Sequence, residues 1–272
     1  MRVLITGMGG SIGSELARQL APHHKIFGID TNETAIYQIR EELRRKGHWV
    51  HSRTGDIRNR ATLADVFEDF KPEVVYHAAA LKNVTPSEEY PEEAIATNII
   101  GTQNVIAEAK RWECLEKFVF ISTDKVVNAH CIMGITKKCA EGLVTRAGDK
   151  FVAVRFGNVL GSSGSVLEIW KRQHEAGEPL TITDPNMTRY TMSIPDAVNL
   201  VIKAGEQGKD GEVWIMDMGV PRSIMELQEE YFPDANLMFI GARPGEALSE
   251  QLMTKEEKER AIKKDNFYIL CK

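Results

Sequence analysis

Six short apolar runs recur through the first half of the chain, each followed by a longer amphipathic stretch. No other feature restricts the fold so strongly. The runs are Val3–Thr6, Lys25–Ile29, Trp49–Ser52, Val74–His77, Phe118–Ser122 and Phe151–Phe156. Between them, apolar residues at helical spacing predict helices over Ser11–Leu20, Glu33–Arg45, Arg60–Phe70, Glu92–Trp112 and Ile132–Ala147. Strands alternating with helices of this length predict βαβ units and a parallel sheet. Right-handed crossovers then give an α/β fold, a Rossmann-type doubly wound sheet with helices on both faces.

Past residue 157 the pattern loosens. Helices are predicted over Ser165–Ala176, Ser193–Gly205, Ser223–Tyr231 and Lys255–Lys264, with short strands at Leu180–Thr183 and Glu212–Met216. Ser193 is a natural N-cap and Pro195 suits an early helical position. The expected division is a dinucleotide-binding domain over 1–157 and a smaller, mainly substrate-binding lobe over 158–272. Segment 193–216, again helix then strand, is open to either unit. A length of 272 residues supports this without staples.

The first strand runs into Thr6-Gly7-Met8-Gly9-Gly10-Ser11-Ile12-Gly13 and then a helix. Gly7, Gly10 and Gly13 let the turn tighten, so that N–H groups around Ser11 and Ile12 can approach a pyrophosphate that a Cβ would keep away. Asp30 ends the second strand 17 residues after Gly13, close to the ~20 expected of the residue that accepts the adenosine ribose hydroxyls. A carboxylate there repels a 2′-phosphate, which favours NAD over NADP. Asp56 and Ile57 follow the third strand and can flank the adenine; Ala78, Ala79 and Ala80 follow the fourth and give a smooth wall.

The 34 basic and 39 acidic residues leave a net charge of −5, which speaks against nucleic acid as the main partner. Cys114, Cys131, Cys139 and Cys271 are scattered without zinc-ligand spacing, and the seven histidines form no metal pattern, so no metal is expected. No apolar run of membrane length occurs, and the chain passes from Met1-Arg2 straight into a strand. The expectation is a cytoplasmic protein without membrane contact.

The fifth strand ends in Ser122-Thr123-Asp124-Lys125, and Met133-Gly134-Ile135-Thr136-Lys137 opens the next helix with Met133 and Lys137 on one face. These stretches, with HAAALKNV, TNIIGTQNV, RFGNVLGSSGSV, DPNMTRYTM and RPGE, resemble the extended short-chain dehydrogenase/reductase superfamily. Within it they look like the nucleotide-sugar 4,6-dehydratases of polysaccharide biosynthesis that act on UDP-N-acetylglucosamine. The resemblance spans about residues 3–250. It implies a lyase that oxidises the sugar at C4, eliminates water across C5 and C6, and returns the hydride to C6.

In that family the Asp of the strand-five motif is the acid and the Lys the base, which maps to Asp124 and Lys125. The resemblance assigns Lys137 to the nicotinamide ribose, Asn98 to the cofactor side, and Lys82 and Asn158 to the substrate. Arg243 is then suited to grip the diphosphate and Glu246 the ribose. Arg189 and the small-residue loop at Ser162 and Ser163 are further candidates for the UDP-sugar. Met133 departs from the superfamily's usual Tyr and has no exchangeable proton. The C4 proton is left to Asp124, or to Thr123 through a water. Long, membrane-anchored family members also carry Met there, which points to retained configuration at C5.

The superfamily's dimer helices correspond to Glu92–Trp112 and Ile132–Ala147, so the resemblance implies a homo-oligomer through Ile95, Ile99, Val105, Ile106, Cys139, Leu143 and Val144. The same residues are equally suited to a core. Three alternatives stay open: a C5-inverting dehydratase, a UDP-sugar 4-epimerase, for which Tyr is expected at 133 and no Asp-Lys pair, and a non-catalytic NAD-binding module.

Overall fold

A computed structural model of the chain describes residues 1–271. Its first six strands are β1 (Arg2–Thr6), β2 (Lys25–Asp30), β3 (Val50–Thr54), β4 (Val74–His77), β5 (Lys117–Ile121) and β6 (Phe151–Arg155). They lie parallel in the order β3-β2-β1-β4-β5-β6. The strand order reverses between β1 and β4, and a doubly wound sheet binds ligands outside the carboxyl ends of its strands at that point.

Helices α1 (Ser11–Leu20), α2 (Glu33–Arg45) and α3 (Arg60–Phe70) match their predicted ranges. Their starts are set locally: the side chains of Asn32 and Asn59 accept the backbone N–H groups of Ala35 and Thr62, satisfying donors a helix leaves open. Leu16 and Leu20 of α1 and Ile36, Ile39 and Leu43 of α2 pack on one face of the sheet. Leu63, Val66 and Phe67 of α3 cover the other. Each such side chain contributes roughly 1.5–3 kcal/mol by leaving water.

The predicted helix over Glu92–Trp112 is broken into pieces. After α4 (Val84–Glu89) and α5 (Pro91–Ala94), a π-helical turn covers Ile95–Gly101 before α6 (Thr102–Ala109). The wider turn spans Asn98, whose amide faces inward and is fully hydrogen-bonded to protein. Helix α7 (Ile132–Thr145) follows. Val105, Ile106 and Val144 belong to the core, whereas Ile95, Cys139 and Leu143 are exposed.

The later residues serve two bodies. Strand β7 (Asn158–Val159), helix α8 (Val166–Glu175), β8 (Leu180–Ile182) and β9 (Thr188–Arg189) lead to β10 (Thr191–Met192), which pairs with β7. Helix α9 (Ile194–Gln207) and strand β11 (Val213–Met216) return to the main sheet, α9 packing beside α1 and β11 pairing with β6. Strand β12 (Arg222–Ser223), helix α10 (Ile224–Tyr231) and β13 (Leu237–Phe239) rejoin the lobe, where Trp170, Leu180, Ile182, Ile224 and Leu227 form a separate core.

The expected helix over Lys255–Lys264 is corrected. Helix α11 (Lys255–Arg260) stops at Ala261, and β14 (Ile262–Lys264) pairs antiparallel with β15 (Phe267–Leu270) at the edge of the nine-stranded sheet. The reason is the two-residue Asp265-Asn266 connection, with Asp265 in the left-handed region. The run of charged residues before it reads as helical throughout and hides the turn.

Candidate active site

At the carboxyl end of β1 the chain turns through Gly7, whose φ is +73°; its N–H bonds Ile29 O at 2.7 Å. A Cβ there would stand 2.6 Å from Ala79 N. Helix α1 opens without a side-chain cap and without an acidic residue in its first turn, leaving the N–H groups of Ser11, Ile12 and Gly13 for an outside acceptor. The Asp30 carboxylate stands beside this turn: Oδ2 accepts Gly9 N at 2.9 Å and Oδ1 accepts Asn32 N at 2.9 Å. A tight glycine cradle, an uncapped helix and an anchored carboxylate are the donor set that a dinucleotide requires, so the residues fit one.

His77 locks the switch point from beneath. Its ring nitrogens meet Thr6 Oγ1 at 2.6 Å and Thr102 Oγ1 at 2.9 Å. Burial, aided by the Lys137 charge, pushes it down to about 3, so it stays neutral. Ala78, Ala79 and Ala80 follow it, half-buried. Asp56 is engaged by Arg58 at 2.7 Å, and Ile57 is buried against Gly101.

The turn after strand β5 carries Asp124 and Lys125. Asp124 is fully buried, and its Oδ1 accepts Thr123 Oγ1 at 2.9 Å and Lys125 Nζ at 3.0 Å. Its Oδ2 is buried with no partner. A buried carboxylate oxygen left unpaired costs more than a net hydrogen bond contributes, so this atom calls for a physical account. Lys125 also donates to Asn158 Oδ1 at 3.1 Å and lies 3.7 Å from Glu250 Oε1. Met133 is buried, and Lys137 is buried one turn later with its Nζ on Ile121 O at 2.6 Å and over the Phe120 ring. Burial pulls the Lys137 ammonium down to about 7, against the opposing pull of Glu141.

The substrate candidates separate. Lys82 reaches across to the small-residue loop, with Nζ 3.4 Å from Ser162 Oγ and 2.5 Å from Ser163 O. Ser163 N in turn donates to Ser11 Oγ at 3.0 Å. This loop therefore meets the glycine turn. Arg189 instead binds backbone, donating to Thr188 O, Leu248 O and Ala247 O at 2.8, 3.1 and 2.7 Å. Arg243 is exposed on a turn closed by Glu246, whose Oε2 accepts Arg243 N at 3.2 Å. That turn packs at Gly245 against Val84, Glu88 and Cys131. Asn98 accepts Leu81 N at 2.8 Å and donates to Leu81 O and Thr136 Oγ1 at 3.0 Å each, so it holds the loop after β4 from behind.

Two residues at the site carry no local sequence signal. Glu250 joins the Asp124–Lys125 pair from 125 positions further along the chain. Arg155 is buried between Glu141 at 2.6 Å and Glu257 at 2.9 Å, and both carboxylates hold it firmly protonated. It also donates to Leu252 O at 3.2 Å. Among the described residues no cluster suited to a metal occurs and no helix is long and apolar enough to cross a membrane.

The family described as "Polysaccharide biosynthesis protein" matches residues 3–272. The capsular polysaccharide biosynthesis protein CapD of Staphylococcus aureus is 44% identical over 272 residues, covering 94% of this chain and 45% of that protein. The chain thus spans about half the length of that relative. A UDP-glucose 4-epimerase of Rickettsia bellii is 34% identical over 285 residues, covering 98% and 81%. Among solved structures, Pen from Bacillus thuringiensis superposes with a TM-score of 0.93 at 33% identity, covering 99% of this chain and 89% of that one. A UDP-glucose 4-epimerase from Thermus thermophilus, solved in complex with NAD, shares the fold at a TM-score of 0.78 and 22% identity, covering 93% and 90%.

Proposed function

The chain belongs to the polysaccharide biosynthesis protein family, and from that premise we propose that it is a UDP-N-acetylglucosamine 4,6-dehydratase that uses NAD and retains configuration at C5. The observation that carries this reading is the Asp124–Lys125 pair just past β5, in which Asp124 is fully buried, Lys125 is partly buried and Asp124 Oδ2 is unpaired. An epimerase that only removes and returns a hydride at C4 has no use for such a pair.

Bound NAD supplies a hydride acceptor for C4 and a hydride donor for C6. The glycine turn, the open end of α1 and Asp30 hold and orient it. Asp124 takes the proton of the C4 hydroxyl as that carbon is oxidised. Lys125, in its neutral form, removes the C5 proton, now acidified by the C4 ketone. Asp124 hands its proton to the C6 hydroxyl, which leaves as water, and the ammonium of Lys125 gives its proton back to C5. The carboxylate thus serves twice, and no tyrosine is needed at position 133. Lys82 and the Ser162–Ser163 loop are proposed to face the sugar nucleotide, with Asn158 fixing Lys125 and Arg243 meeting the diphosphate.

The test is to incubate the protein with NAD and UDP-N-acetylglucosamine in deuterated water and follow the product by NMR. The expected product has lost the C6 oxygen, carries solvent deuterium at C5 and keeps the starting configuration there. The 34% identity to a UDP-glucose 4-epimerase favours a second reading, a 4-epimerase, for which the product keeps the C6 hydroxyl and inverts only at C4. Inversion at C5 instead marks the other class of dehydratase, and binding without turnover a non-catalytic module.

A homo-oligomer is proposed through the outer face of α7. Ile135, Cys139 and Leu143 are exposed at a spacing of four, and Ile95 and Ile100 of the neighbouring π turn are also about half exposed. Placing Asp at both 135 and 143 is expected to shift a wild-type dimer to monomer in light scattering. A monomeric wild type, or an unchanged double variant, sinks this arrangement.

A further inference from the structure

We infer that Arg155, acting through Glu141 and Ser122, is a positioning residue that fixes the turn carrying Asp124 and Lys125. The roles of those two residues rest on the dehydratase reading above. Arg155 is buried, and all five N–H donors of its guanidinium are taken by protein. Nη2 and Nε grip Glu141, at Oε1 over 2.6 Å and Oε2 over 3.4 Å. The rest of the fork meets Glu257 at 2.9 and 3.2 Å and Leu252 O at 3.2 Å. With no donor left for a ligand, Arg155 acts only through the groups it holds. A buried ion pair often adds little net stability over packed apolar side chains; what this planar fork supplies is a fixed geometry.

The turn hangs from this network by the residue that opens it. Ser122 stands immediately before Thr123-Asp124-Lys125, is buried, and donates from Oγ to Glu141 Oε2 at 2.5 Å. One residue earlier, Ile121 O accepts Lys137 Nζ at 2.6 Å. Lys137 and Glu141 are four apart on α7, so one helix face holds two consecutive residues at the end of β5. Strand β6 holds the backbone of the same stretch: Ser122 N donates to Val154 O at 2.7 Å and Asp124 N to Phe156 O at 3.0 Å. Val154 and Phe156 flank Arg155. The turn is therefore fixed by the main chain on either side of Arg155 and, through Glu141, by its side chain. This accounts for the unpaired Asp124 Oδ2, since a costly buried atom keeps its place only where the chain around it is held.

The same guanidinium reaches the opposite wall. Glu257 also completes the capping box that starts α11, accepting Thr254 N at 2.9 Å. With Leu252 O it ties down a segment whose earlier residues meet the acid-base turn. Gln251 Oε1 accepts Asn128 Nδ2 at 3.3 Å, and Glu250 lies 3.7 Å from Lys125 Nζ. Arg155 thus sets three parts against one another: helix α7 with Lys137, the turn with Asp124 and Lys125, and the segment from Glu250 to Glu257. Displacing a reacting group by about 1 Å costs up to about 100-fold in rate, so a joint of this kind is worth more to the chemistry than to binding.

The test starts with Ser122→Ala, which cuts the link from Glu141 to the turn and leaves Arg155 with both carboxylates. Glu141 Oε2 keeps Arg155 Nε, so no buried oxygen is orphaned. The expected result is a drop of about 10–100-fold in kcat for C5 deuterium incorporation and loss of the C6 oxygen, with KM and NAD affinity within about twofold of wild type. The melting temperature is expected to stay close to wild type. Glu141→Gln is expected to lower kcat and the melting temperature together, because Arg155 loses one of its two counter-charges. In the double variant kcat should fall no further than in the slower single variant, since both changes break one chain of contacts. A folded Ser122→Ala enzyme with wild-type kcat overturns the inference. So do losses that multiply in the double variant, or a weakening of KM and NAD affinity that matches the fall in kcat, which marks general loosening. If wild type turns over at C4 alone, the dehydratase reading falls, and the same comparison on the rate of nicotinamide reduction decides the positioning role separately. Wild type that binds NAD without any turnover overturns both.

Discussion

Lys125→Ala is expected to reduce deuterium incorporation at C5 by roughly 10²–10⁴-fold, the range set by removal of a positioned general base. Hydride transfer at C4 does not need Lys125. A single-turnover experiment should therefore still show reduction of the bound nicotinamide by its absorbance, now accumulating because elimination is blocked. That split separates a lost base from a lost fold. The substitution also strips Asp124 Oδ1 of its charged partner, leaving only the Thr123 hydroxyl on a fully buried carboxylate. Some thermal destabilisation is expected for that reason, and melting curves with and without NAD measure it. C5 exchange at the wild-type rate in a folded Lys125→Ala protein contradicts the role given to Lys125.

Where a signal is local, the residues announce it. Helices α2 and α3 start where Asn32 and Asn59 stand before an apolar-periodic stretch, because those side chains serve backbone N–H groups three residues on. The glycine turn and Asp30 are readable for the same reason: one short segment contains the strand, the turn and the helix start. The Asp124–Lys125 pair is adjacent in sequence, so its chemistry is visible before any fold is known. Glu250 and Arg155 are different. Their partners lie across the fold, and a single Glu or Arg has no pattern that reveals which distant charge it meets. Asn98 and Arg189 show the reverse limit. Their residue types suit ligand contacts, yet their polar atoms bind Leu81 and Thr136 in one case and the carbonyls of 188, 247 and 248 in the other. A sequence position does not disclose how many of a side chain's donors the protein itself consumes. The π turn at Ile95–Gly101 was likewise invisible, because its apolar spacing is that of an ordinary helix.

Gly13→Ala is expected to remove cofactor binding and to destabilise the fold together. A Cβ at this position would lie 2.0 Å from Gly7 O, 2.7 Å from Gly7 C and 2.8 Å from Met8 Cα. All three are backbone atoms, so no side-chain rotation relieves the overlap and the turn itself has to open. Opening it pulls against Gly7 N on Ile29 O and Gly10 N on Gly7 O, the bonds at 2.7 and 3.1 Å that tie the turn to β2 and close it. Overpacking of this kind costs about 1–3 kcal/mol, which lowers the melting temperature by roughly 2–12 °C in a chain of this size. The larger effect falls on the ligand, because the N–H groups of Ser11 and Ile12 leave the positions from which they meet a pyrophosphate. Titration calorimetry should show NAD affinity weakened at least about 100-fold. Wild type should prefer NAD to NADP, since the Asp30 carboxylate repels a 2′-phosphate. The comparison with Gly28→Ala is informative. There the three nearest atoms to a Cβ all belong to the buried Met8 side chain, the closest at 2.0 Å, so the overlap falls on a side chain that has to repack rather than on the backbone of the turn. Gly28→Ala should therefore keep NAD binding while losing some stability. If Gly13→Ala binds NAD as tightly as Gly28→Ala does, the turn does not hold the pyrophosphate in the way proposed.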